Sequence, residues 1–342
     1  MCRIGTAVLC RGRTTPAQGK KAMPYVDVSG TRLYFEDHGV GYPIIFLHEF
    51  GADLRQWEDQ VRYFSRTHRC IACNARGYPP SDVPDDPAAY GWERAVLDIA
   101  TLMQELDIPR AHVVGQSMGA YTALQLGLRY RNNVSAIVCA AVGSGSLPSQ
   151  RRAWLRETEV LARAFVERGL RSISEQMAKS AIRVQLKYKD PKRWQQFMDQ
   201  LREQSGRGLA NTLIQCQALR PPLHELQERF SGLSTPVLLM VGDEDVACLE
   251  ANVMLKSTLP NAGLWVAPNT GHGINLEEPA AFNAQVENFL SGVERRTWRR
   301  AYAAPPAEQA RSKIAERGLR ADAFAETGQD EVDIKVVPLH PR

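Results

Sequence analysis

"HVVGQSMGAYTALQLGL", residues 112–128, sets a serine between two glycines directly after a short apolar run. The bare pattern Gly-x-Ser-x-Gly is weak, since both residue types are common. Its surroundings say more. Ala111 to Val114 reads as a short buried strand, and Met118 to Leu128 carries small and apolar residues at helical spacing. A sharp strand-to-helix turn is strained and closely packed, so it needs small residues on both sides, which Gly115 and Gly119 supply. Ser117, between Gln116 and Met118, is a candidate nucleophile; the alternative is a small residue in a structural turn.

Outward from this stretch, strands and helices alternate. "MPYVDVSGTRLYFEDHG" from Met23 reads as a hairpin around a Ser-Gly turn. "PIIFLH" (43–48), "CIACN" (70–74), "SAIVCAA" (135–141), "PVLLMVG" (236–242) and "GLWVAP" (263–268) read as buried strands. Between and after them, 53–66, 94–106 and 279–290 have amphipathic helical spacing. Such alternation predicts an α/β fold with a mostly parallel sheet covered on both faces. From about Leu147 to Leu233 only helical periodicity is found, which predicts a helical cap inserted into the sheet domain. Its apolar positions, among them Trp154, Leu161, Phe165, Trp194, Phe197 and Met198, read as core rather than pocket.

Composition bounds the function. A chain of 342 residues, 44% hydrophobic and 23% charged, has the make-up of a soluble globular protein. It contains no run of about 18 apolar residues, so no membrane span is expected. The net charge of +4 belongs to the ends: residues 1–23 carry +5 and 292–342 carry +2, leaving −3 on the middle. A basic face for nucleic acid is therefore not expected. The Cys70–Cys73 spacing suggests redox chemistry, but on a strand these thiols point to opposite faces. Seven cysteines of this kind read as buried structural residues in a reducing compartment, which means a cytoplasmic protein. The division expected is a disordered basic leader (1–23, with Met23 a possible start), a core (24–146 and 234–291), a cap (147–233) and a polar, disordered tail (292–342). The leader's apolar run, Ile4 to Cys10, is marginal for a signal peptide, with no evident cleavage site.

A serine hydroxyl needs a base within reach, itself oriented by an acid. Of seven histidines, His272 lies in "NTGHGINLEEP", a Gly-flanked loop after the last strand, where open α/β sheets place their sites. For the acid, "VGDEDVAC" offers Asp243, Glu244 and Asp245 after strand 236–242. In chain order, these segments resemble the α/β-hydrolase fold family in its capped, single-domain form, over about residues 24–291. "HEFGAD" resembles the family's oxyanion-loop segment and "NARGYPPSD" the loop after the following strand. "GQSMG" resembles the nucleophile elbow, and "GDED…GHGINLEEP" the acid and the histidine.

The resemblance implies an eight-stranded, mostly parallel sheet and a Ser117–His272–Asp245 triad, with Asp243 the fallback acid. It also implies an oxyanion hole from the Phe50 and Met118 N–H groups; His48, Glu49 and Arg76 are read as the support of that loop. "HEFGA" offers no zinc site, because the second histidine would fall on Ala52. No metal and no cofactor is expected. Two positions depart from the family: Glu49 stands where glycine is usual, and Asn74 where an aspartate is. The expectation drawn is a relocated charge, with Glu49 pairing Arg76 across neighbouring loops; the alternative is a Glu49 facing solvent.

The activity implied is hydrolysis of a small to medium ester or lactone by a monomer or homodimer. Sequences of this build resemble enol-lactonases of aromatic degradation. A carbon–carbon bond hydrolase of vinylogous diketones could use the same triad. A non-catalytic, ligand-binding protein of this fold is the third reading.

Overall fold

The computed structural model describes residues 24–177 and 183–298. The expected leader, and the tail beyond residue 298, lie outside these residues. Eight strands form one sheet in the order β1-β2-β4-β3-β5-β6-β7-β8. They are β1 (Tyr25–Asp27), β2 (Arg32–His38), β3 (Tyr42–Leu47), β4 (His68–Cys73), β5 (Ala111–Gln116), β6 (Val134–Ala140), β7 (Val237–Gly242) and β8 (Ala262–Ala267). The β1–β2 hairpin and the β2–β4 pair are antiparallel, and every pair from β4 to β8 is parallel. The hairpin turns at Ser29 and Gly30, both at positive φ.

Every residue of β5, β6 and β7 is buried, which is why these strands read as unbroken apolar runs. Successive side chains alternate between two cores. Ile45, Leu47 and Val113 face one, and Ile44, Phe46 and Val114 the other. Cys73 joins the first and Cys70 the second, so the sheet separates the two thiols, and both are free.

The helices that flank the sheet include α1 (Glu58–Phe64), α2 (Trp92–Glu105) and α3 (Met118–Arg129). The first of the predicted helices divides: Leu54–Trp57 is a 3-10 turn capped by Asp53, and α1 follows. Between β6 and β7 the described residues are helical, without a strand. This segment begins with α4 (Pro148–Glu167) and α5 (Gly169–Met177), continues through α6 (Val184–Lys189), α7 (Pro191–Arg202) and α8 (Gly206–Asn211), and ends with α9 (Gln227–Ser231). Phe165, Trp194, Phe197 and Met198 form its core together with Ala52 and Tyr78 from the loops below and Leu276 from the helical turn after His272. Trp154 and Leu161, predicted as core, are only partly buried and line a cavity.

After β7 come α10 (Val246–Thr258), the single turn α11 (Ile274–Glu277) and α12 (Pro279–Glu294). The final helix runs one turn past the predicted 290. Its Glu294 accepts from His68 and His112, and Trp298 beyond it packs edge-on against Phe289 with ring centres 4.7 Å apart. No helix among the described residues is long and apolar enough to cross a membrane.

Candidate active site

Ser117 occupies the turn between β5 and α3 with φ +50° and ψ −104°, outside the regions that a serine ordinarily adopts. The glycines allow it. A Cβ on Gly115 would collide with the backbone of Gly119, and one on Gly119 with the Leu47 carbonyl of β3. The Ser117 N–H donates to the Ala140 carbonyl (2.8 Å), tying the turn to β6. Any bulkier residue at either glycine would push the serine out of line.

His272 follows β8 on a loop held by Glu277, whose carboxylate accepts from the N–H groups of Gly271 (2.7 Å) and Gly273 (3.1 Å). The Gln116 side-chain amide donates to the His272 carbonyl. The imidazole Nδ1 lies 2.8 Å from Asp245 Oδ2, in a buried pair. Asp243 points elsewhere: it accepts from the Thr270 N–H (3.1 Å), and such backbone bonds hold its carboxyl below the usual range. Burial by itself would lower the His272 pKa, but the Asp245 charge and hydrogen bond prevail and hold it well above 6.5. Asp245, Cys248 and His272 also form a cluster of potential metal donors, within 4.8 Å of one another.

The loop after β3 carries His48, Glu49 and Phe50. A carbonyl can only accept and an amide only donate, so His48 is neutral with its proton on Nδ1. It donates to the Glu49 carbonyl (2.7 Å) and accepts at Nε2 from the Ala75 N–H (3.0 Å). Burial pushes its pKa down, in keeping with that state. This single ring locks the β3 loop to the β4 loop and fixes the peptide that carries the Phe50 N–H. Neither the Phe50 nor the Met118 N–H has an acceptor among the described residues.

The relocated charge expected for Glu49 is not found, nor is the solvent-facing alternative. Glu49 is 1% exposed and pairs with Arg183 of the helical insertion, at 2.5 and 3.3 Å. Its Oε2 also stands 3.7 Å from His272 Nε2. Arg183 in turn lies over the Phe197 ring at 4.7 Å. Arg76 is satisfied by a different acid: Asp98 of α2 takes it in a two-pronged pair at 2.7 and 2.8 Å.

Asn74 has its own reason to differ from aspartate. Its Oδ1 accepts from the Leu54 N–H (2.8 Å) while its Nδ2 donates to the Pro79 carbonyl (2.7 Å), and a carboxylate could do only the first. Asp98 carried a faint signal in the sequence, as a lone acid between Val96 and Ile99 on a buried face. Arg183 carried none.

Ser117, His272, Glu49, Phe50 and Arg183 line one cavity of about 330 Å³ beneath the helical insertion. It joins a strained serine, an imidazole backed by a carboxylate and a loop whose Phe50 N–H has no acceptor among the described residues, in a space that fits a small organic molecule.

A family model described as alpha/beta hydrolase fold matches residues 42–279, more than half of the chain. A putative 2-succinyl-6-hydroxy-2,4-cyclohexadiene-1-carboxylate synthase of Bacillus subtilis (strain 168) is 25% identical over 270 residues, covering 77% of this chain and 96% of its own. The 3-oxoadipate enol-lactonase 2 of Acinetobacter baylyi is 25% identical over 248 residues, covering 72% and 88%. The crystal structure of the enol-lactonase from Burkholderia xenovorans LB400 superposes with a TM-score of 0.69 at 23% identity, over 78% of this chain and all of that one.

Proposed function

The chain belongs to the α/β-hydrolase fold family, and from that premise we propose that it hydrolyses a small to medium carboxylic ester or lactone through an acyl-enzyme on Ser117. The observation that carries this reading is the buried 2.8 Å contact between His272 Nδ1 and Asp245, behind the cavity that His272 lines together with Ser117 in its strained turn.

In the first half-reaction, His272 Nε2 takes the Ser117 proton as Oγ attacks the ester carbonyl. Asp245 holds the proton on Nδ1 and stabilises the imidazolium. The Phe50 and Met118 N–H groups receive the tetrahedral oxyanion. The imidazolium then protonates the leaving alcohol, and water repeats the sequence to release the acid. In a lactone, acid and alcohol leave as one molecule.

Glu49 must not oppose the oxyanion or over-stabilise the imidazolium, and Arg183 neutralises it. Of the family chemistries, the names of the Acinetobacter and Burkholderia relatives favour a lactone. Turnover of p-nitrophenyl esters of graded acyl length beside a lactone panel tests the reading. Hydrolysis that vanishes in Ser117→Ala is expected; turnover that survives this change, or no turnover of either class, would count against it.

A further inference from the structure

Buried arginines in this fold are paired with acids: Arg76 with Asp98, and Arg183 with Glu49. Arg220 differs. It is 5% exposed, and it follows the π-helical stretch Thr212–Ala218, whose Leu213 and Gln217 line the Ser117 cavity with it. One guanidinium nitrogen donates to the Ser144 carbonyl (3.0 Å), and the plane lies 4.8 Å from the Tyr121 ring and 5.9 Å from that of Trp154. Among the described residues no carboxylate pairs with it.

A second cation worsens the situation. Arg151 lies 5.0 Å from the Trp154 ring and donates to the Arg220 carbonyl. Among the described residues it too has no acid within salt-bridge distance, and only the charge of Glu225 acts on it from farther away. Burial pushes the Arg220 pKa down to about 10, so it stays charged at neutral pH. An uncompensated buried cation is costly, and one hydrogen bond with two aromatic faces offsets only part of that cost. A bound anion would supply the rest. The other charges on the cavity wall do not: Glu49 is neutralised by Arg183, and Glu157 is exposed to solvent.

We propose that Arg220 is a binding residue for a carboxylate of the substrate, so that the ester or lactone hydrolysed at Ser117 is an anionic one. This rests on the serine-hydrolase reading above. Charge-assisted hydrogen bonds to the buried guanidinium would hold the carboxylate end, while the scissile carbonyl reaches the Phe50 and Met118 N–H groups. A neutral ester of equal length would leave the guanidinium desolvated and unpaired.

The test uses the full chain and two matched substrate pairs. One pair places the charge on the acyl side, 4-nitrophenyl hydrogen glutarate against 4-nitrophenyl pentanoate. The other places it on the alcohol side, 4-(butanoyloxy)benzoate against 4-methylphenyl butanoate. In at least one pair the anionic member should be favoured about 10- to 100-fold in kcat/KM, mainly through KM. Arg220→Gln should bring that ratio close to one, and Arg220→Lys should retain part of it.

A ratio near one in both pairs, with Ser117 still labelled by a fluorophosphonate, would overturn the proposal and leave the hydrolase reading standing. So would a preference that survives Arg220→Gln. Absence of both labelling and turnover would sink the hydrolase reading instead. Calorimetric titration with glutarate then decides: binding lost in Arg220→Gln but kept in Arg220→Lys supports the anion site, and no binding by the unaltered protein overturns it.

Discussion

The sheet edge and the helical insertion form opposite walls of one cavity, and charge is handled differently on each. At the sheet edge the ionisable groups are short-range and reciprocal. His272 and Asp245 sit on loops after adjacent strands, and Glu277 holds its own loop from within a few residues. On the insertion wall Arg183 reaches a glutamate 134 positions away in sequence, and Arg220 reaches no acid among the described residues. On the proposed reading, the chemistry is done at the sheet edge and the opposite wall sets the charge of what arrives. Changes at the edge should therefore abolish turnover, while changes on the insertion should alter selectivity or electrostatic balance.

Ser117→Ala should give the largest effect, a loss on the order of a million-fold in kcat, with His272→Ala close behind, because triad members act as a unit. Turnover within a hundred-fold of the unaltered protein would break the comparison at its first term.

Asp245→Asn should cost roughly ten-thousand-fold, while Asp243→Asn should stay near normal. The pH profile adds a sign. His272 must be neutral to act as base and its pKa is raised, so kcat/KM should climb with pH along a limb centred above 6.5. The matching stability contribution of the charged pair is fully present below about 6.5 and fades as pH rises through the raised value. In Asp245→Asn the Asp245 charge, the largest raising influence, is lost while burial remains, and the residual limb should move down. A limb that stays in place would show that another group titrates.

The Glu49–Arg183 pair spans both walls and should respond asymmetrically. Arg183→Met leaves a buried carboxylate 3.7 Å from His272 Nε2 and near the oxyanion position, and should cost about a hundred- to a thousand-fold. Glu49→Gln leaves a cation there and should cost far less. The double change should recover much of what Arg183→Met loses. Equal losses in both single variants would mean that the pair serves only to hold the fold.

The smallest effect concerns the end of α12. Ending the chain at residue 292 removes Glu294, shared by His68 and His112, and Trp298, which packs on Phe289. The melting temperature should fall by a few degrees, with the pH profile intact. Ending it at 298 should be neutral.

What the sequence made legible follows the same division. The strand positions, the Ser117 turn and the His272 loop could be read because their requirements are local: small residues at a tight turn, apolar runs in buried strands, a Gly-flanked loop at a strand end. The choice of Asp245 over Asp243 came from family pattern, and the hydrogen bond to His272 agrees with it. Glu49 and Arg76 were expected to find each other because their loops are neighbours. Each instead found a partner closer in space on another element, Arg183 and Asp98, and no periodicity encodes such meetings. Trp154 and Leu161 share the helical spacing of true core residues, and only the packing of the insertion turns them toward the cavity.

The most direct test of Ser117 as an activated nucleophile is fluorophosphonate labelling followed by mass spectrometry of the modified peptide. A single adduct on the 112–128 stretch at Ser117 is expected, formed rapidly in the unaltered protein, far more slowly in Asp245→Asn and not at all in Ser117→Ala. No adduct, or one formed at the same rate after Asp245→Asn, would contradict it.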